Sequence, residues 1–534
     1  MRRTADSPRV MILLLAPVVA WLSGPLGHSA WGADARTRVG DWMTDETAAG
    51  VGPGIPWEFV GESPRPVERL TLWYRRPAHA ARQTGAGPDA PGDDAWVDAL
   101  PVGNGRLGAM VFGGIGHERI QLNEDSMWAG SPQDADNPEA ERALPEIRRL
   151  LQAGDQRAAE ERAGRSLVCK GPGTGFGSGA TVPFGCYQTL GDLWLDIDTP
   201  DRRIEGYRRE LDLRRAVARV SYRSGGIGFA REVFASAPAQ ALVVRLTCDR
   251  PGALSLAVRL DRPERYSTAP EGENGLVMSG QLYDGAEGTS GIRYVARLRV
   301  VLEGGTVQAE DDRLRIVDAN AVTLILAAAT DYRLDPPRYR GSSPETATRE
   351  TLQRAAATPY ARLCGDATAD HQQYFGRVEL NLARSASSDL PTNDRLAAFS
   401  ATGDDPELAA LLSQYGRYLL ISSSRPGDLP ANLQGIWATG IQTPWNCDYH
   451  ININLQMNYW PAETTNLSEC TEPLTDLMLS LLEPGQRTAR IQYGMPGWVA
   501  HTITNVWGYT SPGEGLVWGA NPTAGAWMCQ HLWE

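Results

Sequence analysis

The sequence predicts a multidomain β + α protein, in which a long antiparallel β-sandwich region precedes a helical region. Three observations carry this. Short β-type runs separated by turns occupy residues 70–333, the periodicity turns helical near Pro344, and beyond Pro391 the chain is rich in helix formers and aromatics. At 534 residues the chain exceeds the size at which a single core keeps growing, so more than one domain is expected. Hydrophobic residues at 42% and charged residues at 22% match a soluble globular average and exclude a largely disordered chain. The net charge of -13 leaves no basic surface to neutralise phosphates, which excludes nucleic acid as a partner.

At the start, Arg2, Arg3 and Arg9 precede the apolar run Val10 to Leu22, and small residues including Ala33-Asp34-Ala35 follow. That order predicts a signal peptide over residues 1–35, and hence export to the periplasm or the cell exterior. The apolar run is shorter than the roughly 20 residues of a membrane-spanning helix, and no later stretch approaches that length, so no integral span is expected beyond the signal. Residues 36–65 are rich in Gly, Pro and charge without periodicity and read as a loose linker, with order beginning near Leu70.

The β domain is placed at residues 66–340. Its strand candidates are Leu193 to Ile197, Ala216 to Tyr222, Ala241 to Thr247, Leu254 to Leu260, Tyr294 to Val301 and Ala321 to Ala327. One helical interruption, Pro138 to Ala153, carries Leu144, Ile147, Leu150 and Leu151 at helical spacing. The run Asn104-Gly105-Arg106-Leu107-Gly108 lacks the lysine and spacing of a phosphate loop and reads as a β-turn. Seven thinly spread cysteines make no disulfide scaffold and no metal cluster. Cys169 and Cys186 flank a Gly-rich loop and could bridge or remain as buried thiols. A helical linker is placed at 341–390, with Leu352, Ala355, Ala356, Tyr360 and Leu363 in phase, and a helical domain at 391–534. There the helix Glu407 to Ser422 puts Leu408, Leu411, Leu412, Tyr415, Tyr418 and Leu419 on one face, with Asp405 as N-cap and Pro406 in the first helical position.

Chemistry concentrates in Leu429 to Glu463, LPANLQGIWATGIQTPWNCDYHININLQMNYWPAE. Trp437, Trp445, Tyr449, Tyr459 and Trp460 offer flat apolar faces. Asn446, Asp448, His450, Asn452, Asn454, Gln456 and Asn458 offer donors and acceptors. A pyranose presents C–H faces to rings and hydroxyls to amides and carboxylates, so this composition suits a carbohydrate; a hydrogen-bonded loop under helices would use the same residues.

This segment resembles the signature of glycoside hydrolase family 95, and three further stretches match that family in order. They are Trp73-Tyr74 with Leu100 to Gly114, then Leu122 to Gly130, then Tyr207 to Leu213. The resemblance runs from about Leu70 to Glu534. It implies an inverting α-L-fucosidase, with some members acting on α-L-galactosides, built as an N-terminal antiparallel β-super-sandwich, a helical linker, an (α/α) six-fold barrel and a C-terminal β-domain. The roughly 145 residues after Pro391 supply about half of twelve helices of about 11 residues each, so the barrel is expected to be incomplete and to expose an apolar face.

By that resemblance Asn452 and Asn454 hold the attacking water, His450 binds a sugar hydroxyl, and the general acid and an assisting aspartate lie beyond Glu534. Carboxamides are very weak bases, so these two orient water and need a carboxylate to polarise it. Asp448 is read as orienting His450 or capping the next helix. His501, Asn505 and Trp507, in the stretch Ala500 to Gly508, and Trp533 are further substrate-binding candidates. No metal or cofactor is expected, and the resemblance implies as partner a fucosylated oligosaccharide or polysaccharide, read as 1,2-linked. The alternatives are an α-L-galactosidase, an inactive carbohydrate-binding remnant, and a phosphorylase of the related barrel clan, against which the two asparagines argue.

Overall fold

The computed structural model describes residues 57–66, 68–78, 96–286 and 290–534. The expected signal peptide and residues 36–56 of the expected linker lie outside them. The described residues belong to one compact unit spanning Ile55–Glu534.

Two sheets form the first half. The larger runs in the order β1 (Glu58–Val60), β7 (Arg203–Asp212), β8 (Val217–Ser224), β9 (Ile227–Ser236), β10 (Ala241–Cys248), β17 (Ala321–Thr330), β14 (Arg293–Glu303), β13 (Gly275–Gln281) and β12 (Ser267–Pro270), with β2 (Thr71–Tyr74) also paired to β7. The smaller runs β15 (Thr306–Glu310), β16 (Arg313–Ala319), β11 (Leu254–Asp261), β6 (Gly191–Ile197), β5 (His117–Glu124), β4 (Leu107–Val111) and β3 (Leu100–Gly103). All pairings are antiparallel except that of β1 with β7. Order therefore begins earlier than Leu70: Glu58–Val60 lie within the stretch read as linker and pair with Arg203–Glu205.

Side chains alternate between the faces as the two-residue period demands. In β7, Ile204, Tyr207, Arg209 and Leu211 are buried, and the register shift between Glu205 and Arg208 falls at Gly206, whose φ of 60° suits a bulge. β17 departs from alternation, with buried residues from Ala321 to Ala328. Its inner face meets the sandwich core. Its outer face is covered by α3 (Pro344–Ala356), while α4 (Tyr360–Phe375) lies against β9; their Leu352, Ala355, Leu363 and Ala367 pack with Phe234, Val243, Ile325 and Ala327. The linker helices are thus a third layer on the sheet, each fully buried large side chain contributing about 1.5–3 kcal/mol.

The helical interruption is a hairpin of α1 (Glu139–Gln152) and α2 (Gln156–Ser166), capped at Asp155, whose side chain accepts from Ala158 N at 3.2 Å. The buried stripe of α1 is Ala140, Ala143 and Ile147, while Leu151 is exposed, because small residues let α2 approach closely. Cys169 and Cys186 remain free thiols, as do the other five cysteines, and burial pushes both up to about 11.

The second half holds α5 (Thr392–Thr402), α6 (Pro406–Ser423), α7 (Asn454–Thr464), α8 (Glu472–Ser480), α9 (Leu482–Tyr493), α10 (Leu516–Gly519), α11 (Ala524–Met528) and α12 (Gln530–Trp533). Asp405 caps α6, accepting from Leu408 N at 3.1 Å. The buried face of α6 includes Leu408, Leu411, Tyr418, Leu420 and Ile421, whereas Leu412, placed on that face from its spacing, is exposed. On the last helices Val517, Trp518, Leu532 and Trp533 are exposed.

The sandwich and the helices share one buried apolar cluster running from Leu72 to Met528. Polar seams cross the same junction. Tyr418 Oη donates to Pro101 O at 2.7 Å, Trp437 Nε1 to Val102 O at 3.0 Å, and Leu429 N to Asp125 Oδ2 at 2.8 Å. Gln121 Nε2 and Asn123 Nδ2 both donate to Ala438 O at 2.9 Å. The polar segment Leu429 to Glu463 is therefore laid down on the end of the sandwich.

Candidate functional site

Most polar side chains of Leu429 to Glu463 hold the loop in shape. Asn458 Nδ2 donates to Asn432 O at 3.1 Å and Gln456 Nε2 to Ile451 O at 2.7 Å. Tyr459 Oη lies 2.7 Å from Ser424 Oγ and accepts from Ala431 N, while Tyr449 Oη donates to Pro430 O. Trp437, Tyr449 and Tyr459 are buried, with Tyr449 stacked on Trp128 at 5.5 Å between centroids. Of the five aromatics nominated from sequence, only Trp445 and Trp460 offer faces to solvent.

Before Asp448 the backbone turns sharply. Trp445, Asn446 and Cys447 have φ of 48°, 59° and 46°, a left-handed run costing about 1–2 kcal/mol per residue. Hydrogen bonds offset it: Asn446 Oδ1 accepts from Gly179 N at 2.7 Å and Gln442 Nε2 at 2.9 Å, and Asn446 O accepts from Tyr187 N at 2.9 Å. Beyond the turn, β18 (Tyr449–His450) pairs with β19 (Ile503–Thr504), and Ile451 N donates to Thr502 O at 2.8 Å. That ladder sets the stretch at 501–507 beside the signature segment.

His450 is half-buried, and its Nδ1 lies 2.5 Å from Asp448 Oδ1, leaving Nε2 as the ring nitrogen not engaged with the carboxylate. Burial alone would lower the imidazole, but the Asp448 hydrogen bond and charge outweigh it and hold His450 above its ordinary value. Burial raises Asp448, partly offset by His450. The imidazole thus keeps its Nδ1 proton toward the Asp448 carboxylate.

Asn452 and Asn454 follow directly. Asn454 is exposed at the first position of α7, and Asn452 is half-buried with its Oδ1 out of solvent and without a hydrogen-bond partner. Gln456 Oε1 and Thr504 Oγ1, on segments tied to Ile451 or paired with Tyr449, are likewise buried and unpartnered. Buried acceptors without partners are rare, and each costs about 1–3 kcal/mol unless something donates to it. An acceptor left over in this way is suited to a hydroxyl or water donor.

The remaining candidates divide differently. His501 is fully buried: Nδ1 accepts from Asn521 N at 3.0 Å, so the neutral ring carries its proton on Nε2 and donates it to Tyr493 Oη at 2.9 Å. Asn505 Oδ1 accepts from Trp507 N and Tyr509 N, while its Nδ2 donates to Phe184 O at 2.7 Å. Trp507 is buried edge-on to Tyr332 and Tyr339, and its Nε1 donates to Ala129 O at 2.9 Å. Asn505 and Trp507 brace the stretch 501–509 against the β domain and His501 ties it to Tyr493 and Asn521, unlike the open ligands expected from sequence, because their polar atoms are spent on the protein itself. Trp533 is 91% exposed on α12.

Sequence reasoning passed over Glu514, whose two oxygens accept from Thr174 Oγ1 at 2.9 and 3.0 Å and whose Oε1 also accepts from Phe176 N at 3.1 Å. Its negative charge helps raise Asp448. The doublet of glycines around it is the one signal the sequence carried. Among the described residues no group of three or more His, Cys, Asp or Glu side chains is placed to hold a metal ion.

Residues 359–534 match the family described as glycosyl hydrolase family 95 catalytic domain, and residues 72–335 match the one described as glycosyl hydrolase family 65, N-terminal domain. The chain is 39% identical over 469 residues to Alpha-L-fucosidase 2 of Arabidopsis thaliana, covering 82% of this chain and 54% of that protein. It is 34% identical over 474 residues to Probable alpha-fucosidase A of Aspergillus niger, covering 84% and 56%. The chain thus spans about half the length of the curated relatives it matches. A solved structure, a putative kojibiose phosphorylase from the human microbiome, matches with a TM-score of 0.50 at 12% identity, over 89% of this chain and 57% of that one, a likeness of fold.

Proposed function

The chain belongs to glycoside hydrolase family 95, and from that membership we propose that its polar aromatic site takes the terminal α-L-fucose of a glycan and supports its hydrolytic release. The observation that carries this is the unpartnered, buried Oδ1 of Asn452 beside the exposed Asn454. A carboxamide oxygen to which no protein group donates is left to accept a hydrogen bond from a water and so orient it. The finer reading is a single displacement with inversion at the anomeric carbon of a 1,2-linked fucoside. His450 then donates from Nε2 to a sugar hydroxyl while Asp448 keeps its ring oriented.

Two asparagines cannot accept the proton that water loses, so a carboxylate must do so, and an acid must protonate the leaving oxygen. Asp448 is committed to His450 and Glu514 to Thr174 and Phe176. The proposal assigns both proton-transfer roles to other carboxyl groups, in keeping with the resemblance that places them outside the motif.

The test is hydrolysis of an α-1,2-fucosylated trisaccharide by a form of the enzyme that carries both proton-transfer carboxyl groups, followed by proton NMR. The β-anomer of L-fucose is expected first, and Asn452→Ala or Asn454→Ala is expected to lower the rate about 100-fold or more with folding unchanged. First release of the α-anomer would contradict inversion, and near-normal rates in both variants would remove the asparagines from the mechanism.

A further inference from the structure

The glycine-rich loop 170–185 leaves the sandwich between α2 and β6 and spends its hydrogen bonds on the signature segment. Gly179 N donates to Asn446 Oδ1, Asn446 Nδ2 to Thr174 O at 3.2 Å, Gln442 Nε2 to Gly177 O at 2.7 Å, and Ala180 N to Gln442 Oε1 at 2.9 Å. Glu514 ties the same loop through Thr174 and Phe176. Glycine suits this close packing: a Cβ on Gly173 would stand 2.6 Å from the Glu514 carboxyl carbon, and one on Gly179 2.0 Å from Gly185 O and 2.8 Å from the Asn446 amide carbon.

Each side of this seam turns one large ring outward. Phe176, with φ of 51°, is 77% exposed, and Trp445, with φ of 48°, is 62% exposed. Both sit in a left-handed backbone that costs free energy for a residue with a side chain, while the neighbouring Asn446 and Thr174 are buried. Burial would be the ordinary fate of rings this size. Holding both in solvent on a braced seam is the arrangement of a stacking surface. The seam is continuous with the proposed sugar site, since Asn446 lies two residues before Asp448, which holds His450.

We infer that Phe176 and Trp445 form a platform for the sugar that carries the terminal fucose, so that the β domain helps select an oligosaccharide over a simple fucoside. The inference rests on the fucose reading of the site. Fucose itself occupies the half-buried amide and imidazole end, and the next residue of the glycan lies outward, where only apolar C–H faces and ring faces need to meet.

Calorimetric titration of the chain with methyl α-L-fucoside, an α-1,2-fucosylated trisaccharide and its defucosylated disaccharide separates the two readings. The wild type is expected to bind the trisaccharide more tightly than the methyl fucoside, and Phe176→Ala or Trp445→Ala to lose about fivefold on the trisaccharide, with a smaller loss on the methyl fucoside. Phe176→Tyr should restore the gain, and unchanged melting temperatures are expected since both rings are exposed. A methyl fucoside that binds with no ring-dependent gain for the trisaccharide overturns the platform alone. Ring-dependent binding of the disaccharide without any methyl fucoside binding overturns the fucose reading and keeps the platform, and no binding of any of the three overturns both.

Discussion

His371 and His501 show what burial does to a titratable side chain in this protein. His371 Nε2 donates to Leu213 O at 2.9 Å under a stack with Phe375, and His501 is spent on Asn521 and Tyr493. Burial pushes each down to about 4, for His371 against the favourable Leu213 bond. Because the unfolded chain takes up these protons at about 6.5 and the folded chain only near 4, stability is lost as pH falls from about 6.5 to about 4. Denaturant unfolding should show His371→Gln losing less than the wild type across that window; equal losses would contradict the buried neutral ring. Residues such as these mark how far the site was legible. Asn452, Asn454 and His450 were nominated through the resemblance, and composition marked only the polar aromatic run that holds them. Asn505 and Trp507 carry the same chemistry, and only the fold shows their polar atoms already bonded to Phe184, Tyr509 and Ala129. Phe176 was passed over, because a ring in a glycine loop gives no sign in sequence of whether it faces in or out.

Elements were read best where local signals decide them. The Asp405-Pro406 start of α6 is a capping rule, and the structure adds its partner: Arg395 Nε and Nη2 donate to Asp405 at 2.6 and 2.8 Å, with both side chains buried. Arg395 holds the Asp405 carboxyl below its ordinary range despite burial. Asp405→Ala removes the cap and leaves the buried Arg395 guanidinium with only the 3.5 Å contact to Glu407, so a loss of about 3 kcal/mol is expected, and Asp405→Asn, which keeps a cap acceptor, should cost less. A melt in which Ala costs under about 1 kcal/mol would contradict this. Leu412 and Leu151 were misplaced because helical spacing gives the period of a face without saying how wide the partner is. β1 was missed because three residues between prolines and glycines carry too short a pattern, and its strand state comes from β7 alone.

At the scale of the molecule, sandwich and helices cannot be treated as a passive support and an active domain. The order of the two regions followed from the change in periodicity, and the position of α3 on β17 and of α4 on β9 did not, since an apolar helix face does not name its partner. One apolar cluster runs through both regions, and Asp125, Asn123, Ala129, Phe184 and the glycine loop all bond to the segments that carry the proposed site. The proposed site is therefore a product of the junction, and the buried, unpartnered acceptor at Asn452 is the point on which the functional reading turns. The most direct measurement is a calorimetric titration of L-fucose into the wild type and into Asn452→Ala of equal melting temperature. Saturable binding in the wild type that weakens about tenfold or more in the variant is the expected result. Equal affinity in the two proteins, or no binding in the wild type, would contradict the assignment of this site to fucose.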